Sequence, residues 1–193
     1  MANGSLIKAD HAMPRRPVPY REARGMIQDG DLLLWLPSTL SGNAITTVTH
    51  SLYSHAAMAA WWRDHLMVLE SVQWRGGDTA RLSDQVARWP GLCDVYRVPG
   101  EYRWCAVDAA IERIHVPYGW LSLAHILARK YLGLCRHSEY IVPPTTPLVC
   151  SAFVCDSYRR AGLDLVPGKP AWAAEPGDIA KAGKYLLTIG GAA

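Results

Sequence analysis

Residues 55–72 read HAAMAAWWRDHLMVLESV and contain two apolar runs separated by the charged dipeptide Arg63-Asp64. Two runs of strand length joined by two polar residues are typical of a β-hairpin. With a two-residue turn, Trp62 pairs with His65. Continuing this register along the hairpin places His55 opposite Val72 and Ala57 opposite Glu70.

The hairpin register places His55 and Glu70 close together. Side chains alternate between the faces of a strand, so these two residues point to the same face as diagonal neighbours, roughly 7–8 Å apart at Cα. A carboxylate beside an imidazole fixes its tautomer and stabilises the imidazolium. On pairing alone, the alternative is a half-buried strand glutamate paired with an arginine and a histidine satisfied by the backbone.

The rest of the chain predicts further strands from short apolar segments and helices from apolar residues at helical spacing. The predicted strands are residues 32–36, 93–99 and 185–189, and the predicted helices are residues 102–115, 120–134 and 149–162. Residues 37–50 are rich in Ser, Thr, Gly and Asn and are predicted to be mostly loop. Strands that come early and helices that come late indicate an α+β fold.

Cys150 is the best-placed candidate nucleophile. It stands at the predicted start of a helix, directly after the extended segment TTPLV of residues 145–149. The N–H groups and the positive dipole end at a helix N-terminus favour a thiolate, and a thiolate paired with a protonated histidine is an activated nucleophile. The same amides can stabilise an oxyanion. The alternative is a buried cysteine that acts as a small hydrophobe.

Other residues compete for these roles. Cys155 lies about 140° around the helix from Cys150, so the two cysteines cannot both face His55. His50, in the predicted loop, is a second candidate base. The spacing of Cys150 and Cys155 and the scattered histidines lack the ligand pairs of a zinc site, so we expect no metal and no other cofactor.

Six short motifs follow one another along the chain: GDLLLW (30–35), SHAAM (54–58), VLES (68–71), YRV (96–98), PYGW (117–120) and CSAFVCDSY (150–158). In this order they resemble the circularly permuted NlpC/P60 group of papain-like enzymes, the YiiX-like relatives in which histidine precedes cysteine. The resemblance spans roughly residues 29–163. It implies a papain-like NlpC/P60 fold of permuted topology, with a small antiparallel sheet packed on the nucleophile helix.

The resemblance also implies roles for individual residues. Cys150 matches the nucleophile, His55 the general base, and Glu70 the polar third member that orients the imidazole. Tyr118 matches an aromatic residue near the site. Together with Ser151, which follows the nucleophile, it is expected to contact the substrate.

Length and composition fit one globular domain preceded by an arm. The chain has 193 residues, 50% apolar and 19% charged; residues 26–193 are the expected catalytic domain, and residues 1–25, rich in proline and arginine, the expected extended arm. A net charge of +3 gives no support for a nucleic-acid partner. The five scattered cysteines indicate reduced thiols. The sequence lacks a secretory h-region and a transmembrane-length apolar run, so we expect synthesis in the cytoplasm without membrane anchoring.

These features predict a cysteine hydrolase, and the resemblance implies that it cleaves an amide bond. The resemblance favours the peptide part of bacterial cell wall, peptidoglycan, as the substrate. A lipid- or acyl-directed thiol hydrolase or acyltransferase is one alternative, and a catalytically silent structural or binding module is another. The N-terminal arm is expected to be either a solvated tail or a strap that docks the protein into a larger assembly. A phage tail is such an assembly, and it would deliver a virion-associated wall enzyme that has no signal peptide.

Overall fold

The computed structural model of the protein describes residues 15–49, 51–120 and 145–190, which form one mixed sheet with helices on both faces. The strands are β1 (Pro17–Pro19), β2 (Leu32–Trp35), β3 (His55–Trp62), β4 (His65–Val72), β5 (Gly76–Arg81), β6 (Cys93–Arg97) and β7 (Lys184–Gly190). The helices are α1 (Tyr20–Ala23), α2 (Leu40–Thr49), α3 (Leu82–Arg88), α4 (Arg103–Ile111), α5 (Cys150–Arg160) and α6 (Pro176–Ala180), with single 3₁₀ turns at Arg24–Met26 and Ala171–Ala173.

The strands lie in the order β1-β7-β6-β2-β3-β4-β5, and neighbours are antiparallel except for the parallel pair β1 and β7. The β3–β4 hairpin pairs Trp62 with His65, so its predicted register is confirmed. The α+β class and the three other predicted strands are confirmed as well. With seven strands among the described residues, the sheet is larger than the small one expected.

Apolar side chains fill both sides of the sheet. Alternate residues of β2 enter different clusters: Leu32 and Leu34 pack beneath α4 and α5, whereas Leu33 and Trp35 pack on the opposite face with α3. Because both faces are covered, every residue of β2 is buried. This burial explains the continuous apolar run in the sequence, since a strand with one solvated face would alternate with polar residues.

The prediction that residues 37–50 are mostly loop is wrong, because α2 occupies most of this segment. Thr39 begins the helix: its Oγ1 accepts a hydrogen bond from the N–H of Gly42 at 3.1 Å, and its carbonyl accepts one from Asn43 at 2.9 Å. A threonine N-cap of this kind stabilises a helix by about 1 kcal/mol. The cap offsets part of the weak helix propensity of the Ser-, Thr- and Gly-rich sequence.

The expected N-terminal arm is described from Arg15 onward. Residues 20–26 are helical rather than extended, and β1 pairs with β7 at one edge of the sheet. Arg15 donates from Nε to Asp94 Oδ2 at 2.8 Å, and Ala23 is fully buried. This part of the segment therefore packs on the sheet.

The helices predicted around residues 102–115 and 149–162 are confirmed as α4 and α5, whereas β5 and α3 were not predicted. Because α2 and α3 lie among the strands, the expected order of strands before helices is only partly right. His50 and nearly all of the predicted helix at 120–134 lie outside the described residues. Within the described ranges, no helix has the length and apolar character needed to span a membrane.

Candidate active site

His55 and Glu70 form a hydrogen-bonded pair on the hairpin. His55 begins β3, Glu70 lies near the end of β4, and the His55 Nε2 to Glu70 Oε2 distance is 2.6 Å. Glu70 is 1% exposed, so this carboxylate meets the imidazole with little water around it. The diagonal relationship predicted from the register is thus present, and it leaves Nδ1 of His55 for a second partner.

Gln85 completes the surroundings of Glu70. Its side-chain amide on α3 donates to Oε1 of Glu70, the carboxylate oxygen that His55 does not use. The helix is fixed over the sheet by its buried residues Leu82 and Val86. Sequence analysis missed Gln85, since its contact with Glu70 depends on β5 returning the chain beside β4. The Gln85 amide N–H can only donate to Glu70, so both carboxylate oxygens act as hydrogen-bond acceptors, one for Gln85 and one for His55.

Cys150 is the second partner of His55. It is the first residue of α5 and is 9% exposed. Burial acts to raise the pKa of the Cys150 thiol, but the charge and hydrogen bond of His55 and the main-chain N–H groups of Ala56 and Ser151 outweigh burial and lower it. For His55, burial acts to lower the pKa, whereas the Cys150 charge and the hydrogen bonds to Cys150 and Glu70 raise it to about 10. Both shifts favour the thiolate–imidazolium form of the pair.

The segment before Cys150 is held from two sides at Leu148. Its carbonyl accepts a hydrogen bond from Ser71 Oγ at 2.7 Å and one from the N–H of Gly119 at 3.2 Å. Gly119 lies so close to this segment that an added Cβ would stand 2.7 Å from the Pro147 carbonyl oxygen. A glycine after Tyr118 is therefore needed for the close approach of the two chain segments, which places Tyr118 beside the nucleophile.

The helix α5, which Cys150 begins, is anchored by buried and C-terminal hydrogen bonds. Asp156, fully buried, accepts hydrogen bonds from Nε of Arg113 at 3.0 Å and Nε of Arg160 at 2.7 Å. At the C-terminus, Gly162 has φ +95°, and its N–H and that of Leu163 bond to carbonyls of the last helical turn. This is a Schellman ending, and it confirms Gly162 as the predicted helix stop.

The other described cysteines differ from Cys150. Cys155 is 2% exposed in the core beneath the sheet, and burial raises its pKa. Cys93 is buried on the opposite side of the sheet, and its pKa is also raised by burial. Cys105 is exposed. Neither these three thiols nor that of Cys150 is in a disulfide. The expectation of free thiols holds for them, and Cys155 does not compete with Cys150 for His55.

His55 and Cys150 line a cavity of about 390 Å³. This volume is in the range of small-molecule sites. The walls come from the open end of the hairpin, where β3 begins and β4 ends, from the start of α2, and from Trp35 and Trp89. The described lining residues are Trp35, Thr39, Gly42, Ser54, His55, Glu70, Ser71, Val72, Gln73, Arg75, Gln85, Trp89, Tyr118 and Cys150.

The two expected substrate contacts have different places in this site. Tyr118 lines the cavity; burial and the nearby Cys150 charge raise the pKa of its phenol, against a hydrogen bond from Gln73, so it stays a neutral donor. Ser151 is 2% exposed, and its Oγ donates to the Ala174 carbonyl at 2.6 Å. The Ser151 hydroxyl therefore forms a buried hydrogen bond and does not face the cavity, whereas its main-chain N–H interacts with the Cys150 sulfur.

Among the described residues, no group of three or more His, Cys, Asp or Glu side chains is arranged to hold a metal ion. A scan of protein-family models and a search of curated proteins found no match to this chain. Among solved structures, the chain is similar to the metalloprotein YiiX from Escherichia coli O157:H7, with 23% identity and a TM-score of 0.53 over 72% of this chain and 68% of that one. The fold of this chain is therefore similar to that of YiiX.

Proposed function

We propose that this protein is a cysteine hydrolase in which Cys150, His55 and Glu70 cleave an amide bond. The observation that carries the proposal is the 2.6 Å contact between His55 Nε2 and Glu70 Oε2, next to a Cys150 thiol that lines the same cavity and interacts with the same imidazole. Nucleophile, base and orienting carboxylate then stand in one chain of hydrogen bonds, the arrangement that activates a thiol. The permuted papain-like topology is part of this proposal.

Acylation follows from this geometry. The Cys150 thiolate attacks the carbonyl carbon of the scissile amide, and the negative charge moves to the carbonyl oxygen. The first-turn N–H groups of α5 point toward that oxygen's position and lack carbonyl partners within the helix. Nδ1 of His55 then gives its proton to the departing amine, and the C–N bond breaks to leave a thioester on Cys150.

Hydrolysis of the thioester uses the same residues in reverse. Neutral His55 removes a proton from water, the hydroxide attacks the thioester carbonyl, and Cys150 leaves as a thiolate beside the restored imidazolium. Glu70 keeps its hydrogen bond to Nε2 throughout, which fixes the ring so that Nδ1 faces the sulfur. Gln85 holds the Glu70 carboxylate by its second oxygen.

The proposed substrate is a peptide of bacterial cell wall, and its support is the resemblance of the sequence motifs to NlpC/P60 enzymes. A cavity of about 390 Å³ that is open to solvent accommodates a few residues of a peptide. Delivery as part of a larger particle, such as a phage tail, belongs to the same proposal. The arm through which such docking was expected, residues 1–25, is described only from Arg15 onward, and that part packs on the sheet.

A metal-dependent function, as the description of YiiX suggests for that protein, does not fit the described site. His55 Nε2 is occupied by Glu70, and Cys150 faces the other nitrogen. A metal between His55 and Cys150 would have two protein donors, fewer than the three or four that hold zinc in proteins. Within the described residues the site therefore favours acid–base and nucleophilic chemistry by the side chains themselves.

A lipid- or acyl-directed thiol hydrolase is the second candidate, and the aromatic residues that line the cavity, Trp35, Trp89 and Tyr118, favour it. The test is to incubate the wild-type protein with purified peptidoglycan and, separately, with phospholipid vesicles, and to identify released fragments by mass. Cys150→Ala is the inactive variant, and Cys155→Ala is the matched control because its thiol lies in the core.

Cys150-dependent release of wall peptides supports the proposal, and release of fatty acid or lysolipid supports the second candidate. No release from either, with no covalent adduct on Cys150, contradicts both and leaves the silent binding module.

A further inference from the structure

Three aromatic side chains form a continuous line from the cavity wall to the solvent; we call Tyr118, Trp120 and Trp74 the aromatic ladder. The ring centroids of Tyr118 and Trp120 are 5.1 Å apart, and those of Trp120 and Trp74 are 4.8 Å apart. Tyr118 lines the cavity that holds Cys150, whereas Trp120 and Trp74 are 42% and 86% exposed. An apolar surface therefore leads from the thiol out of the cavity.

The backbone at the outer end of the ladder is unusual. Trp74 has φ +71°, a region that bulky side chains rarely adopt. It lies in the turn between β4 and β5, where its neighbours Gln73 and Arg75 line the cavity. An indole so exposed contributes little to the core. The packing of the fold thus does not explain why this turn presents a tryptophan beside the site.

The ring geometry limits what kind of group can contact the whole ladder. The rings are tilted by 65° between Tyr118 and Trp120 and by 53° between Trp120 and Trp74, as aromatic pairs commonly are. Because the three rings are not coplanar, a planar group can lie flat on only one of them. A flexible aliphatic chain can bend to contact all three.

We propose that the aromatic ladder is a substrate subsite that binds a flexible aliphatic group attached close to the bond that Cys150 attacks. The inference rests on the proposed function in that it takes Cys150 as the reacting residue. Trp74 and Trp120 are then specificity-determining residues. Burial of the aliphatic group against them supplies binding that a short-chain substrate lacks.

The test compares the labelling rates of Cys150 by N-methylmaleimide and N-hexylmaleimide, measured by peptide mass. The exposed thiol of Cys105 in the same molecule reports the intrinsic difference between the two reagents. We expect the hexyl-to-methyl rate ratio at Cys150 to exceed the ratio at Cys105 by about tenfold. Trp74→Ala should remove most of this excess, and Trp74→Phe should restore much of it. Trp62→Ala, at the opposite end of β3 from His55, is the control and should leave it unchanged.

Equal ratios at Cys150 and Cys105 in the wild type, or an unchanged excess in Trp74→Ala, would overturn the subsite. The experiment needs an accessible thiol but no hydrolysis, so it separates the subsite from the proposed function. An excess that depends on Trp74 in a protein that hydrolyses no substrate keeps the subsite and rejects the hydrolase. Hydrolysis by Cys150, with equal labelling ratios at Cys150 and Cys105, keeps the hydrolase and rejects the subsite.

Discussion

Gln85 donates its side-chain amide to Oε1 of Glu70, while His55 occupies Oε2 of the same carboxylate at 2.6 Å. Glu70 is thereby held between a helix and a strand, and both of its oxygens have a partner. A carboxylate fixed in this way cannot rotate away from the imidazole. The orientation of His55 toward Cys150 therefore depends on a residue that contacts neither the thiol nor the ring.

Gln85→Leu should lower the alkylation rate of Cys150 at neutral pH by about tenfold, because the loss of a hydrogen bond to a charged group frees Glu70 to rotate. The measurement is the rate of Cys150 labelling by iodoacetamide, read by peptide mass. Ser83→Ala on the same helix is the control and should leave the rate unchanged. A Gln85→Leu protein as reactive as the wild type would show that Glu70 needs no second partner.

Turnover should follow a bell-shaped pH profile. It rises with pH as the Cys150 thiol ionises below the ordinary thiol value of about 8.5, because its pKa is lowered. It falls with pH as His55 loses the proton that it gives to the leaving group, and the raised pKa puts that limb at about 10. The check is kcat/KM against pH with any substrate found in the screen. An alkaline limb near the ordinary histidine value of about 6.5 would contradict the ion pair.

The hairpin and the position of Cys150 at the start of a helix could be predicted because each depends on local sequence. A two-residue turn and a period of two fix the register, so the His55–Glu70 diagonal follows from residues 55–72 alone. Cys150 was identifiable because TTPLV is extended and the following residues have helical spacing. Both features are properties of short segments of the chain.

The remaining parts depend on packing between distant segments. The exception is α2, which begins at the local Thr39 cap in a segment whose composition suggests a loop. The strand β5 is short, carries few apolar residues and lies at the sheet edge, so it has no clear pattern. Gln85 reaches Glu70 only because β5 and α3 return along β4. The place of Ser151, with its hydroxyl bound to Ala174, also follows from tertiary packing.

Gly119→Ala should destabilise the protein by about 2 kcal/mol, because the new Cβ would stand 2.7 Å from the Pro147 carbonyl oxygen and push the segment before Cys150 away. Gly25→Ala is the matched control, since a Cβ there meets nothing within 4 Å. Urea unfolding monitored by tryptophan fluorescence measures both. Equal stability of the two variants would mean that the chain at Gly119 relaxes without cost.

Arg113→Leu should cost about 2–3 kcal/mol of stability, because the buried Asp156 carboxylate loses the charged hydrogen bonds of Arg113 while it keeps Arg160 as a partner. The control is Arg88→Leu, which breaks the exposed pair of Arg88 and Asp84, 4.0 Å apart, and should cost less than about 0.5 kcal/mol. Thermal unfolding of both variants at one pH makes the comparison. Similar losses in the two would argue against Arg113 as the anchor of α5.

The alkylation rate of Cys150 against pH, in the wild type and in His55→Ala, tests the central claim most directly. The account predicts that wild-type Cys150 reacts as a thiolate well below pH of about 8.5. In His55→Ala the imidazolium no longer lowers the pKa and burial still raises it, so the same reactivity should appear only at higher pH. Matching profiles in the two proteins, each rising at the pH of an ordinary thiol, would contradict the Cys150–His55 pair.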